Sequence, residues 1–313
     1  ADLAGLDWVN LATLIESGQV SVKQWEDAKA AVARCTASKT KSELLSIAMD
    51  RQLLMAPIAD VADVLSSEQL ASRDYFHQID INGTDVAAPG PFAVSRHNPL
   101  AAAAKVTPLG SDSNEVFSNP RRIDLPKTSS PAPSAPLEGV KVVDFMWSLA
   151  GPFTSRALSD LGATVVKIES IHKPDAARGF LPIWDNEPGL ERSALFDTAN
   201  AGKLSLALDM RSPEAIDVVR DLVGWADLLC ESFSPGTMRS WGLHYEALTE
   251  LNPRLVMLST CLTGQFGPTS TFAGYGNLGA ALSGFYGLAG WPDRAPTGPF
   301  GAYTDYTSTH FML

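Results

Sequence analysis

Apolar residues recur along the chain at two different periods, and the change from one to the other divides it. In the first part the period is helical. Trp8 to Glu16 and Ser21 to Cys35 carry apolar residues at helical spacing, and Ser21 and Thr40 stand where helix N-caps belong. Met55–Ala59 is a short apolar run that predicts a strand, and Ser66/Ser67 cap a short helix containing Gln69 and Leu70. His77–Ile81 and Asp85–Ala88, separated by Asn82-Gly83, predict a β-hairpin with a tight turn. Pro- and Ala-rich coil is expected from there to about Glu115. Ser118 to Pro136 has no apolar period and is rich in Pro and Ser, so it reads as a linker.

After the linker, short continuous apolar runs alternate with helical stretches. Val140–Phe145 predicts a buried strand that ends in a turn at Gly151-Pro152, and Phe153–Leu161 predicts a helix stopped by Gly162. Thr164–Glu169 is the next strand, which makes a βαβ unit. Leu204–Leu208, Leu228–Glu231 and Leu255–Cys261 are further strands. Between them a helix runs from Ser212 (N-cap) and Pro213 (N1) to about Trp225, and another spans Tyr245–Leu251. Buried strands alternating with helices predict an α/β fold with a parallel, doubly wound sheet. Ten glycines between Gly264 and Gly301 permit close backbone packing there.

The 24 Lys and Arg residues face 35 Asp and Glu, a formal charge of −11. This acidic balance, without a basic cluster, argues against nucleic acid or an anionic membrane as partner. The most apolar stretch, Asn277 to Trp291, is too short to span a bilayer. Cys35, Cys230 and Cys261 are widely separated and lack metal-ligand spacing, so they read as thiols in a reducing compartment, with no metal site. A cytoplasmic protein is expected.

No P-loop, GxSxG or HExxH is present. The strand–turn–helix around Trp147 to Pro152 stands where a dinucleotide fold carries GxGxxG, but only one glycine is there, so ordinary helix–sheet packing is preferred over NAD binding. Asp305 follows Gly298-Pro299-Phe300-Gly301 and has two readings. One is the N-cap of a terminal helix. The other is a carboxylate presented at a glycine-rich edge as nucleophile or general base. His310 reads as a helix-face residue. Lys203, Arg211, Arg178 and Arg239 lie at element edges, and together they form a candidate phosphate-binding set on the C-terminal side of the sheet.

The α/β half resembles class III CoA-transferases, the family of carnitine, formyl and bile-acid-inducible CoA-transferases. The resemblance is carried by Leu137 to Phe145, Ala150-Gly151-Pro152, Leu161 to Glu169, Asn200-Ala201-Gly202-Lys203, Leu206 to Asp209, Glu231 to Gly236, Leu251 to Leu255 and Gly264 to Pro268, all in order. The part before the linker resembles the same family's C-terminal region, through Thr40 to Leu45, Met55 to Ile58, Glu68 to Arg73 and Pro108-Leu109-Gly110. The family's tail therefore precedes its head. The expected organisation is residues 1–117 from a C-terminal part, 118–136 as linker, and 137–313 as the Rossmann-like CoA-binding half of a second copy, with most of the family's small domain absent. A tandem two-copy protein explains this order better than a circular permutation, and the chain reads as an incomplete piece of it.

The resemblance implies transfer of CoA between an acyl-CoA and a carboxylic acid acceptor, no permanently bound cofactor, and an interlocked homodimer. It assigns Asp305 as the catalytic aspartate, which forms a mixed anhydride and then an aspartyl thioester. CoA contacts map to Ser148, Leu149 and Ala150, to Leu208, Asp209, Met210 and Arg211, and to Ser232, Phe233 and Ser234, with Lys203 and Arg239 as candidate cations. The chain departs from the family at Ser232, where Asn is usual, at Ser170, where a basic residue is usual, and at Ser240, where Arg is common. These departures support a second reading, a non-catalytic CoA-binding or structural copy. A third, an acyl-CoA racemase, needs a histidine near Gly274-Tyr275, and none is there.

Overall fold

The computed structural model describes residues 18, 20–102, 106–119, 134–187 and 189–313. The helix expected over Trp8–Glu16 and most of the expected linker lie outside the described residues. Contacts group the chain into two compact units, Ala1–Ile58 and Ala59–Leu313.

In the first unit, α1 (Val22–Thr36) and α2 (Lys41–Asp50) are each closed at the N-terminus by a capping box. Ser21 accepts from the Gln24 N–H while Gln24 answers to the Ser21 N–H, and Thr40 and Glu43 repeat the arrangement. The strand expected at Met55–Ala59 does not form. Pro57 removes a donor from a run of five residues, and among the described residues no strand pairs with it.

The second unit opens with α3 (Val61–Leu65) and α4 (Glu68–Ala71), the latter capped by Ser67. The hairpin follows as β1 (Phe76–Ile81) and β2 (Thr84–Pro89), paired antiparallel from Phe76↔Pro89 to Ile81↔Thr84. Asn82 and Gly83 both take positive φ, as a two-residue hairpin turn requires. A short helix, α5 (Ser113–Ser118), lies within the expected coil.

The rest is a parallel five-stranded sheet in the order β5-β4-β3-β6-β7. Its elements are β3 (Lys141–Phe145), α6 (Ala150–Asp160), β4 (Thr164–Glu169), α7 (Ala194–Asn200), β5 (Leu204–Ala207), α8 (Pro213–Trp225), β6 (Leu228–Glu231), α9 (Thr237–Ser240), α10 (Tyr245–Leu251) and β7 (Val256–Ser259). Helices α11 (Gly276–Leu282), α12 (Phe285–Leu288) and α13 (Tyr303–Met312) complete it. The expected doubly wound α/β fold is present. Gly151 and Pro152, expected in a turn, instead lie in the first turn of α6, where the missing proline N–H has no helical partner to lose.

Alternation along β3 builds two cores. Val143 and Phe145 join Val219 and Val223 of α8 and Leu248 of α10, while Val142 and Met146 pack with Val165 and Cys230 on the other face. The strand order reverses at β3, which has β4 on one side and β6 on the other. The crevice beyond the carboxyl ends of β3 and β6 is thus the topological switch point, where open α/β sheets bind ligands.

Candidate active site

The turn after β3 is shaped by four buried charges. Asp144, in β3, is fully buried. Its Oδ1 accepts the Met146 N–H at 2.8 Å, and its Oδ2 accepts Ser155 Oγ of α6 at 2.6 Å and Lys203 Nζ at 3.1 Å. Lys203 Nζ also donates to the Pro152 carbonyl and Asn200 Oδ1. Burial pushes the Lys203 ammonium below the usual lysine range, with Asp144 pulling the other way. A second pair lies beside the first. Lys167 Nζ, from β4, donates to Asp175 Oδ2 at 3.0 Å and to the Met146 carbonyl at 2.8 Å. Asp175 Oδ1 accepts the N–H groups of Ser148 and Ala177. Every charge is paired and further hydrogen-bonded, which is what makes four of them tolerable in a core.

This network turns Ser148 into a left-handed conformation, φ +64, and directs its N–H inward. Across the crevice, Ser232 Oγ accepts the Trp147 N–H at 2.8 Å, and Glu231 holds the Phe233 N–H at 2.8 Å. Phe233 packs edge-on against both Trp147 and Trp241. The structure thus brings Ser148, Leu149 and Ala150 together with Ser232, Phe233 and Ser234 at the switch point.

Leu208, Asp209, Met210 and Arg211 follow β5. Met210 and Arg211 line an open groove of about 570 Å³ with Ser240, Trp241, Ile216 and Arg220. Arg211 grips Asp209 through Nε and Nη2, and these hydrogen bonds hold the Asp209 carboxyl down at about 2. Arg239 reaches Glu246 at 3.3 Å, a carboxylate that Arg96 also pairs with. Two of the four expected phosphate cations are corrected. Lys203 is internal, its side chain only 2% exposed and committed to Asp144. Arg178 is likewise packed inside, bound to Glu169 at 2.6 Å and stacked 3.7 Å above the Phe196 ring. Arg220, which the expected set omitted, is the groove's second guanidinium. The signal for it was the 213, 216, 217, 220 spacing, which puts these residues on one stripe of α8.

Asp305 is not an N-cap. It lies in the first turn of α13, whose cap residue is Ala302. Its Oδ2 accepts the Gly276 N–H at 3.1 Å, and the Thr304 hydroxyl donates to the Gly276 carbonyl. A Cβ at 276 would stand 2.0 Å from Asp305 Oδ2, so glycine there leaves the carboxylate in this place, where a larger residue would displace it. α13 packs along α6, with Thr309 Oγ1 on the Ala150 carbonyl at 3.2 Å and Tyr306 against Phe153. Asp305 thus stands one helical turn along α13 from Thr309, the residue that contacts the start of α6. Burial raises its pKa above the usual aspartate value, opposed by the Gly276 hydrogen bond. His310 is exposed. Among the described residues no group of three or more His, Cys, Asp or Glu is placed to hold a metal ion, and no helix is long and apolar enough to cross a membrane.

The family model for CoA-transferase family III matches residues 2–113 and 137–313. Succinyl-CoA–D-citramalate CoA-transferase of Chloroflexus aurantiacus is 38% identical over 169 residues, which is 54% of this chain and 41% of that protein. Succinate–glutarate CoA-transferase of Agrobacterium fabrum is 36% identical over 171 residues, 54% of this chain and 43% of its own length. The chain thus spans less than half of each. A Mycobacterium tuberculosis protein named as a probable CoA-transferase is 29% identical over 267 residues, covering 83% of this chain and 32% of the relative. Among solved structures, a CaiB/BaiF family protein from Brucella suis superposes with a TM-score of 0.51 at 38% identity, over 56% of this chain and 48% of that one.

Two outcomes follow from this geometry. Lys203→Met leaves Asp144 buried without its cation and is expected to cost about 3–5 kcal/mol in urea unfolding. Asp305→Asn keeps an acceptor for the Gly276 N–H but removes a poorly solvated charge. Because burial raises the folded-state pKa of Asp305, its ionisation costs stability as pH rises through that value. The Asn variant is therefore expected to melt higher than wild type at pH 7, with the gap closing below the usual aspartate range.

Proposed function

Since the chain belongs to CoA-transferase family III, we propose that it is the CoA-binding and nucleophile-bearing half of an enzyme that moves CoA between carboxylic acids. The observation that carries this reading is the Asp305 carboxylate. It is half-buried, held by one backbone N–H, and fixed to the helix that begins at the switch-point turn.

Asp305 attacks the thioester carbon of an acyl-CoA. The C–S bond breaks, CoA leaves as thiolate, and a mixed anhydride remains on the aspartyl carbonyl. The thiolate then attacks the aspartyl carbon, releasing the first acid as carboxylate and leaving an aspartyl–CoA thioester. The acceptor carboxylate attacks that carbon, forming a second anhydride and freeing the thiolate again. Attack of the thiolate on the acceptor's acyl carbon yields the new acyl-CoA and restores Asp305. Each adduct is an activated acyl group of similar energy, so the steps are reversible. Partial desolvation makes the carboxylate a better nucleophile than an exposed one, while its raised pKa makes the rate fall as pH drops through that value.

The CoA contacts in this reading are Ser148–Ala150 and Ser232–Ser234 at the crevice, with Leu208–Arg211 and the neighbouring groove at the phosphate end. Arg211 and Arg239 are the candidate cations, and Arg220 joins them. Dicarboxylic acids named for the relatives, such as succinate and glutarate, are the first acids to try. The match that runs through both segments of the chain covers a third of a longer relative, which supports a tandem two-copy organisation. An interlocked homodimer belongs to the same reading. The second reading, a binding-only copy, draws on Ser232, whose hydroxyl is already committed to Trp147.

The test is mass spectrometry after incubation with a panel of acyl-CoAs and a hydroxylamine quench. A hydroxamate on Asp305, absent from Asp305→Asn, is the expected result. CoA binding without any adduct, in this chain and in a longer parent, would favour the binding-only copy.

A further inference from the structure

Gln69, on α4, is 7% exposed. Its amide is spent on a loop nearly two hundred residues later. Nε2 donates to the carbonyls of Thr263 and Phe266, both at 2.8 Å, and Oε1 accepts the Thr269 N–H at 2.8 Å. Two carbonyls and one N–H admit a single orientation of the amide. The loop is shaped to receive it: Gly267 has φ +104, and a Cβ there would stand 2.5 Å from Gln69 Oε1. One turn further along, the Arg73 guanidinium lies 4.7 Å above the Phe266 ring.

Between the two carbonyls held by Gln69 sits Gln265. Its Nε2 donates to the Phe233 carbonyl at 3.2 Å and to the Thr260 carbonyl at 3.4 Å. Phe233 is the middle residue of the Ser232–Ser234 turn, and its ring packs on Trp147, the neighbour of Ser148. A run of direct contacts therefore leads from Gln69, through the 263–269 loop and Gln265, to both walls of the crevice.

We propose that Gln69 is a positioning residue for CoA binding. By fixing the 263–269 loop it lets Gln265 hold the Phe233 carbonyl, and so sets the Ser232–Ser234 turn against the turn that follows β3. The segment before the linker is then a working part of the site that follows it: the tail of one copy completes the crevice of the next. This rests on the reading of the crevice as a CoA site.

The test uses the full chain with Gln69→Met and Gln265→Met, singly and together, each close in volume to glutamine but unable to make these bonds. CoA affinity is measured by calorimetry and unfolding by urea on the same samples. Each single variant is expected to weaken CoA binding about tenfold, and the double variant no more than the worse single, because both act through one loop. If Gln69→Met lowers the unfolding midpoint but binds CoA as wild type does, Gln69 is structural only and the proposal is overturned. If Gln69→Met does not fold, Gln265→Met decides: wild-type affinity there overturns the proposal, and a tenfold loss supports it. A folded wild-type chain that binds no CoA overturns the reading of the crevice itself and the proposal with it, an outcome distinct from the others.

Discussion

The structure depends on how four charges are accommodated beneath one turn. Asp144, Lys167, Asp175 and Lys203 lie under the residues that follow β3, on the sheet face covered by α6, and none can face water. Buried ion pairs of this kind add little net stability over an apolar core, yet losing one partner is costly. What they supply here is a unique geometry. Each carboxylate has one oxygen for backbone N–H groups and one for an ammonium, and the ammoniums reach the carbonyls of Met146 and Pro152. The turn can meet all of these bonds in one conformation, and Ser148 takes a positive φ to do so.

The position of Asp305 follows from that conformation. α6 starts where the turn ends, and α13 is docked on α6 by Thr309 and Tyr306. The carboxylate is thus referred, through one rigid helix contact, to the same turn that forms a wall of the crevice. Its partial burial comes from the close approach of Gly276, where any side chain would collide with it. Burial, and not a neighbouring charge, raises its pKa, with the Gly276 N–H pulling the other way.

Much of this was legible in the chain. Apolar runs gave the strands to within a residue or two, and Pro213 after Ser212 located the start of α8, although Ser212 Oγ turns to Glu214 and leaves the cap unmade. What escaped is what depends on pairing across the fold. Lys203 and Arg178 read as edge cations because a local pattern does not show the acid waiting for them, Asp144 in one case and Glu169 in the other. The sign that was available lay in the strands: an Asp within Val-Val-Asp-Phe and a Lys within Val-Val-Lys-Ile, both in runs otherwise buried, demand partners. Of the two readings of Asp305, the N-cap one fails for the converse reason, because the N–H its carboxylate accepts is that of Gly276, far along the chain. At Met55–Ala59 an apolar run was not enough, since a strand also needs a neighbour.

The most direct measurement is a crystal structure of this chain grown with coenzyme A. The account predicts CoA lying in the switch-point crevice, between Ser148–Ala150 and Ser232–Ser234, with its phosphates toward Arg211 and Arg220 and its thiol toward Asp305. CoA bound on another face, or an empty crevice at saturating CoA around an intact turn, would contradict it.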